Sequence, residues 1–146
     1  GELAVGSVDE SGWTYVAPFA ADYGADAAYI DAEKKRQLET MAARRARYTG
    51  LRPAHDPVGR TVIVVDDGLA TGATMMAALH ALRARKPARL VCALPVAAPD
   101  SLKKVAHMAD DVVCLHAPAD FQAVGQFYAS FPQVEDDEVV GILQGQ

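Results

Sequence analysis

From residue 61 onward, short apolar runs alternate with segments whose apolar residues recur at helical spacing. The runs Thr61–Val65, Arg89–Val96 and 111–115 have the composition of buried strands, whereas 75–82 and 99–108 have that of helices. Parallel strands need a crossover connection, which is usually a helix, so this alternation predicts a parallel sheet with helices on its faces. We therefore expect an α/β fold, a Rossmann-like three-layer domain with a mainly parallel sheet.

The first 58 residues follow a different pattern. Residues 3–8 and 14–17 are short β-forming runs on either side of a turn-forming Asp-Glu-Ser-Gly stretch, which predicts a β-hairpin. Residues 29–48 are highly charged and carry only a thin apolar stripe, which predicts a poorly buried helix. We expect residues 1–58 to form a small hairpin and helix hood over a ligand crevice, and residues 59–146 to form the core of the same domain.

Two further segments follow the last strand. Residues 121–131 are rich in aromatic side chains, and we interpret 122–128 as helical; residues 136–143 are predicted to form a terminal helix. Since an aromatic face is a general partner for a planar heterocycle, Phe127, Tyr128 and Phe131 are candidates for stacking on a base. Packing against the sheet or against another subunit is the favoured alternative for these rings.

Composition narrows the kinds of ligand. A chain of 146 residues with 51% hydrophobic residues can form one domain with an ordinary core. Its 14 Lys and Arg are outnumbered by 19 Asp and Glu, which disfavours nucleic acid and anionic membranes as partners. No apolar stretch approaches the roughly 20 residues that span a bilayer, and Cys92 and Cys114 lie in apolar runs where a free thiol packs as a small hydrophobe. We expect a cytoplasmic protein that binds small molecules.

The motif that carries chemistry is residues 62–74, Val-Ile-Val-Val-Asp-Asp-Gly-Leu-Ala-Thr-Gly-Ala-Thr. Ligands of open α/β sheets bind at the carboxyl ends of the strands, so Asp66 and Asp67 bring two carboxylates to that crevice, where paired acids bind hydroxyls or metal. Small residues follow, which let backbone amides surround a phosphate at the start of the next helix, and a side chain at Gly72 would occupy the phosphate's space. The phosphate-binding candidates are Ala70, Thr71, Gly72, Ala73 and Thr74.

Along its whole length this motif resembles the phosphoribosyl pyrophosphate (PRPP) motif of type I phosphoribosyltransferases. The resemblance implies that Asp66 and Asp67 are the catalytic pair and hold the ribose 2- and 3-hydroxyls, directly or through metal-bound water. It implies that residues 70–74 wrap the 5-phosphate. It also implies Mg²⁺ as cofactor, PRPP and an unidentified base as partners, and homodimerisation as a plausible assembly. The implied reaction displaces pyrophosphate from C1 of the ribose by a base nitrogen.

Outside the motif the chain is similar to a group of bacterial phosphoribosyltransferases with related segments at 2–8 and 124–128. Members of that group begin earlier, with a helix and a strand that ends in a Pro-Arg-Gly-Gly loop expected to contact pyrophosphate. That loop does not occur in this sequence, which opens with Gly1 rather than an initiator Met. We therefore expect an N-terminally truncated domain that binds ribose 5-phosphate and transfers phosphoribosyl groups poorly.

Two alternatives stay open. A PRPP-sensing regulator would keep the phosphate loop without the transferase chemistry. The acceptor is also open: Ala70 stands where the 6-oxopurine enzymes usually carry an acid, which disfavours hypoxanthine and guanine, but adenine enzymes also carry Leu-Ala-Thr-Gly here.

Other polar residues have structural interpretations that we favour over functional ones. The basic side chains of the helix at 29–48 could reach a diphosphate, although a solvated helix balanced by its own acids is the simpler interpretation. The four histidines show no metal-ligand spacing. The residues concerned are Lys34, Lys35, Arg36, Arg44, Arg45 and Arg47, the acids Asp31, Glu33 and Glu39, and His55, His80, His107 and His116.

Overall fold

The computed structural model describes residues 6–16, 26–50 and 55–145. Its strands and helices are β1 (Gly6–Val8), β2 (Thr14–Val16), α1 (Ala27–Thr49), β3 (Thr61–Val65), α2 (Ala73–Ala84), β4 (Arg89–Val96), α3 (Pro99–Ala106), β5 (Asp111–His116) and α4 (Asp136–Gln144), with a 3₁₀ turn at Val124–Phe127 before α4. The predicted hairpin residues 3–5 and 17 lie outside the described residues.

The parallel sheet has the order β3-β4-β5, and the predicted α/β fold is confirmed. Thr61 pairs with Arg89, and Val91 pairs with Asp111, so the three strands run side by side in one direction. All three carboxyl ends therefore meet at one edge of the sheet. This edge is where the loop after β3 begins.

The core lies between one face of the sheet and the helices α2 and α3. Leu90 and Cys92 of β4 are fully buried, and they share one apolar cluster with Leu79 of α2 and Val105 of α3. Because both helices contribute to the same cluster, both cover the same face of the sheet. The prediction that Cys92 packs as a small hydrophobe is confirmed by this burial.

The opposite face of the sheet is apolar and exposed within the described part of the chain. Ile63, Val65, Val113 and Leu115 are 61%, 72%, 52% and 80% exposed. These residues alternate with partly buried positions of their strands, as the two-residue period of a β-strand requires. The described residues thus supply the sheet layer and one helix layer of the predicted three.

The antiparallel hairpin of β1 and β2 packs against α2. The buried carboxylate of Asp9 organises its turn by accepting hydrogen bonds from the amides of Ser11 and Trp13 at 2.8 and 3.0 Å. The same carboxylate contacts His80 Nδ1 at 2.8 Å, and the imidazole stacks on the Trp13 indole with ring centroids 4.3 Å apart. A buried acid therefore joins the hairpin to the helix.

Helix α1 is poorly buried, as its thin apolar stripe predicts: none of its residues is buried. Asp26 begins it by accepting a hydrogen bond from the amide of Tyr29 at 2.8 Å. Arg36 pairs with Glu33 of the same helix, as expected for a self-balanced helix. Arg45 and Arg44 instead pair with acids on other elements, Glu10 and Asp136. Charge pairing thus ties α1 to the hairpin turn and to α4.

Two predicted helices are shorter in the structure. Helix α3 ends at Ala106 rather than at 108, because the amides of His107 and Met108 bond to carbonyls only three residues back, which tightens the chain into a turn. The segment predicted as helical at 122–128 forms only the 3₁₀ turn. There the side-chain oxygen of Gln126 accepts hydrogen bonds from the amides of Gln122 and Ala123, and these two bonds cap the turn.

Candidate functional site

Two adjacent carboxylates stand at the carboxyl end of β3. Asp66 follows the last strand residue directly, and its amide bonds to the carbonyl of Ala93 on β4 at 3.4 Å. Its side chain is half-buried and accepts a hydrogen bond from the amide of Asp67 at 3.0 Å, whereas Asp67 itself is exposed. Both residues line the same pocket. The strand order places them where the sequence predicts.

The environment of Asp66 favours its neutral form. Burial raises the pKa of this carboxyl above its ordinary value, the hydrogen bond from the Asp67 amide opposes that rise, and the nearby Asp67 charge adds to it. A ligand that donates hydrogen bonds to Asp66 or brings positive charge would relieve this cost.

The loop after the acids ends at the N-terminus of α2, where the helix dipole favours an anion. Within the part of the chain that the structure describes, the amides of Ala70, Thr71, Gly72 and Thr74 have no hydrogen-bond partner. The amide of Ala73 makes only a long bond, 3.4 Å, to the Thr71 hydroxyl. Backbone donors thus converge here without an acceptor of comparable strength.

Gly72 turns the loop into the helix with a left-handed backbone, φ 82°. A Cβ at this position would meet Ser101, Leu69 and Val105 at 3.5 to 3.8 Å, on the inner side of the loop. The expectation that a side chain here would fill the phosphate's space stays a prediction. The requirement for glycine comes from the positive φ, which L side chains rarely adopt.

These groups line an open pocket of about 310 Å³. The lining includes both acidic residues, the residues of the amide loop and Leu69, which is only 2% exposed. Every lining residue lies in 66–75 except Val124, which comes from the segment after β5. Among the described residues, neither the hairpin nor α1 contributes to the lining, so a covering role for them stays a prediction.

Two serine side chains stabilise the pocket loop through its backbone carbonyls, and the sequence analysis assigned neither of them to the site. The buried hydroxyl of Ser101 on α3 donates to the carbonyl of Ala70 at 2.6 Å. The hydroxyl of Ser7 on β1 donates to the carbonyl of Ala73 at 2.6 Å. A serine at the start of a helix gives no local signal that it will reach a loop 31 residues earlier in the chain.

The aromatic segment after β5 lies beside the acidic pair. The Tyr128 hydroxyl donates to the backbone carbonyl of Asp67 at 2.6 Å, and the Tyr128 ring lies 5.0 Å from that of Phe131. Phe127 contacts the rings of His116 and Phe121 at centroid distances of 5.7 and 5.6 Å. The three aromatic residues considered for base stacking therefore contact other aromatic rings, and Tyr128 has a polar role that the sequence did not indicate.

The remaining polar candidates lie away from the pocket lining. The ion pairs of Arg44, Arg45 and Arg47 join α1 to Glu10, Asp136 and Asp137. The His80 ring contacts the Asp9 carboxylate and stacks on the Trp13 indole. No group of three potential metal-ligating side chains occurs among the described residues.

The donor set fits Mg²⁺ carried by a phosphorylated ligand better than a resident metal. Mg²⁺ in proteins is commonly held by one or two carboxylates together with substrate phosphates and water. Asp66 and Asp67 supply that number of carboxylates at the pocket.

None of the helices in the described ranges has the length and apolar character needed to cross a membrane.

Known proteins resemble this chain closely. Two Mycobacterium tuberculosis proteins, from strains CDC 1551 / Oshkosh and H37Rv, each named "Putative phosphoribosyl transferase", are 41% identical to it over 143 residues. The match covers 97% of this chain but only 32% of the length of each relative. The crystal structure of TT1426 from Thermus thermophilus superposes with a TM-score of 0.75 at 41% identity, over 98% of this chain and 68% of that one.

Residues 10–131 match the family described as "Phosphoribosyl transferase domain". This range includes the acidic pair, the amide loop and the segment that carries Val124 and Tyr128. The family match, the two mycobacterial relatives and the Thermus thermophilus structure agree with the predicted fold and family. The chain belongs to the phosphoribosyl transferase domain family.

Proposed function

We propose that the chain binds PRPP at the pocket after β3 and takes part in transfer of the phosphoribosyl group to a base nitrogen. The observation that carries the proposal is that two carboxylates and several backbone amides without a partner among the described residues line the same pocket of about 310 Å³. Carboxylates accept hydrogen bonds from sugar hydroxyls, and amides at a helix N-terminus donate to a phosphate. A sugar phosphate presents both kinds of group on one small molecule.

In this proposal residues 70–74 hold the 5-phosphate and the acidic pair holds the ribose hydroxyls. Hydrogen bonds to charged groups contribute about 1.5–3 kcal/mol each, so several on one phosphate suffice for micromolar binding. Holding the sugar by its hydroxyls fixes the direction in which C1 faces an incoming nitrogen. The base nitrogen then forms a bond to C1 as the C1–oxygen bond breaks, the electron pair of the broken bond leaves with pyrophosphate, and the proton of the attacking nitrogen passes to solvent water.

Mg²⁺ is the proposed cofactor, and when bound with PRPP it would neutralise charge on the departing pyrophosphate. The chain's own contribution is to orient the sugar and to place Asp66 beside it. The raised pKa of Asp66 fits this role, because an uncompensated carboxylate gains most from a hydroxyl donor or a cation.

Isothermal titration with ribose 5-phosphate tests the binding half of the proposal. Wild type should bind, and Gly72→Val should lose most of the affinity, since valine cannot adopt φ 82° without strain and the amide loop would rearrange. Gly59→Val is the matched control: Gly59 also has a positive φ, 67°, but does not line the pocket. Equal affinities for wild type and Gly72→Val would contradict the assignment of the loop.

A second measurement separates a transferase from a PRPP-sensing protein. Pyrophosphate release is followed with PRPP, Mg²⁺ and a panel of purine and pyrimidine bases. Release that depends on a base identifies a transferase, whereas tight PRPP binding without release identifies a sensor. Among the described residues the pocket lining contains no Lys or Arg, so we expect slow release from these 146 residues.

A further inference from the structure

The Asp67 backbone is held by a side chain from a distant part of the chain. The Tyr128 hydroxyl donates to the Asp67 carbonyl at 2.6 Å across 61 residues of sequence. The Tyr128 ring is itself positioned by Phe131, with ring centroids 5.0 Å apart. A short hydrogen bond from an oriented phenol constrains the direction of the peptide group that joins Asp67 to Gly68.

A second contact supports the same peptide. A Cβ on Gly68 would lie 2.6 and 2.8 Å from the two methyl carbons of Val124 and 3.1 Å from a methyl carbon of Val96. Only glycine fits at that separation without movement of its neighbours. Two residues of the segment after β5 thus contact the same peptide. Val124 packs against Gly68, and Tyr128 donates a hydrogen bond to the Asp67 carbonyl.

The rest of the turn is fixed by β4 and not by this segment. The amide of Asp66 bonds to the carbonyl of Ala93 at 3.4 Å, and the amide of Leu69 bonds to the carbonyl of Val96 at 3.0 Å. Between these two anchors, the only hydrogen bond to the Asp67 carbonyl within the described residues is the one from Tyr128. Besides the bond of its amide to Asp66 Oδ1 at 3.0 Å, the Asp67 backbone is thus held by a group that neither β3 nor β4 provides.

Resting on the proposed function, we propose that Tyr128 is a positioning residue for the acidic pair. Its hydroxyl holds the Asp67–Gly68 peptide so that the exposed Asp67 carboxylate faces the pocket, and it acts on a sugar hydroxyl only through Asp67. The phosphate loop at 70–74 is supported separately, by Ser101 and Ser7. Loss of the Tyr128 hydroxyl should consequently affect recognition of the sugar and spare recognition of the phosphate.

The test compares two ligands on three proteins by isothermal titration. The ligands are ribose 5-phosphate, which uses both halves of the pocket, and inorganic phosphate, which uses only the amide loop. The proteins are wild type, Tyr128→Phe and Tyr48→Phe. The last variant is a matched control, because Tyr48 also loses a hydroxyl bond to an acidic residue, at 2.7 Å to Asp136, but lies on α1 away from the pocket lining.

We expect Tyr128→Phe to bind ribose 5-phosphate about tenfold more weakly than wild type, the effect of losing one hydrogen bond that orients a charged group. Its affinity for inorganic phosphate should stay within about twofold of wild type, and Tyr48→Phe should match wild type for both ligands. A merely structural role would weaken both ligands together and would overturn the proposal. So would unchanged binding of ribose 5-phosphate.

Two further outcomes are informative. If Tyr128→Phe does not fold, Phe131→Leu keeps the hydroxyl while removing the ring contact, and a weaker loss confined to ribose 5-phosphate is then expected; equal loss of both ligands would again overturn the proposal. If wild type itself fails to bind ribose 5-phosphate, both the proposed function and this inference are wrong. A wild type that binds, beside a Tyr128→Phe that binds equally well, overturns the inference alone.

Discussion

The hydroxyl of Ser101 donates to the carbonyl of Ala70 at 2.6 Å, so that α3 holds the loop that follows β3. Ser101 is only 6% exposed, and its hydroxyl would have no water partner to replace the carbonyl. Ala70 belongs to the same short loop as the other pocket-lining residues at 71–74. This one hydrogen bond therefore contributes both to the stability of the fold and to the conformation of the pocket loop.

Replacing Ser101 by alanine should lower the free energy of unfolding by about 0.5–1.5 kcal/mol, the net contribution of one hydrogen bond, because the Ala70 carbonyl loses its donor. Denaturant unfolding at neutral pH measures the change. Thr40→Ala is the control, since the Thr40 hydroxyl also donates to a backbone carbonyl, that of Arg36, but on the exposed helix α1. That substitution should cost less than about 0.5 kcal/mol. Equal losses in the two variants would show that the Ser101 hydrogen bond contributes no more to the free energy of unfolding than an exposed one.

Asp66→Asn should stabilise the fold at neutral pH and weaken ribose 5-phosphate binding about 10- to 100-fold. Burial raises the pKa of Asp66 in the folded state, so its ionised form costs stability at pH values above that folded pKa, and the cost disappears as pH falls toward the ordinary value of 3.8. Asparagine removes the charge and keeps an oxygen that can accept from the Asp67 amide.

Thermal unfolding at pH 7 and pH 4 checks this prediction. Asp66→Asn should raise the midpoint at pH 7 and have a smaller effect at pH 4. Asp67→Asn removes only the nearby charge, the smallest of the causes acting on Asp66, so its effect on the midpoint at pH 7 should be smaller than that of Asp66→Asn. A lower midpoint for Asp66→Asn at pH 7 would contradict the assigned cost of the buried charge.

The contact of the hairpin with α2 should weaken in acid. Burial raises the pKa of Asp9, but hydrogen bonds from the Ser11 hydroxyl, from His80 and from the amides of Trp13 and Ser11 outweigh it, so the pKa lies below the ordinary value of 3.8. A lowered carboxyl pKa contributes stability that is fully present above the unfolded value and is lost as pH falls through the folded one. The effect should therefore appear only below about pH 4.

Trp13 is the sole tryptophan of the sequence, and its stacking on His80 makes its fluorescence a reporter of this contact. An emission change below about pH 4 is expected in wild type. It should be absent or displaced in Asp9→Asn. Asp26→Asn, which replaces one good helix N-cap by another, should titrate as wild type does. An emission change that is identical in Asp9→Asn would remove Asp9 from the explanation.

The two faces of the sheet should respond differently to the same substitution. Leu90→Ala should cost about 2–5 kcal/mol, because Leu90 is fully buried between the sheet and its helices. Leu115→Ala should cost less than about 1 kcal/mol, since Leu115 is 80% exposed on the opposite face. Chemical denaturation of the two variants provides the comparison. A large cost for Leu115→Ala would mean that this face is covered in solution.

Much of the sheet and of the motif can be predicted from local sequence. The strands Thr61–Val65 and Arg89–Val96 have the bounds that the sequence predicts. Short apolar runs between turn-forming residues locate a strand from residues that are adjacent in the chain. The placement of Asp66 at a strand end follows from the same pattern. Helix ends are less predictable: α3 ends two residues early because backbone bonds tighten its last turn, which the spacing of its apolar residues does not reveal.

The sequence by itself determined the α/β alternation, the acidic pair and the small-residue loop, because each depends on residues adjacent in the chain. Only the tertiary structure decided which distant groups hold that loop: Ser101 at the Ala70 carbonyl and Tyr128 at the Asp67 carbonyl. It also decided that Leu90 is buried while Leu115 is exposed, although both are strand leucines. The physical reason is that a hydrogen-bond partner or a covering helix is chosen by how whole elements pack, and packing joins residues whose separation along the chain carries no local signal.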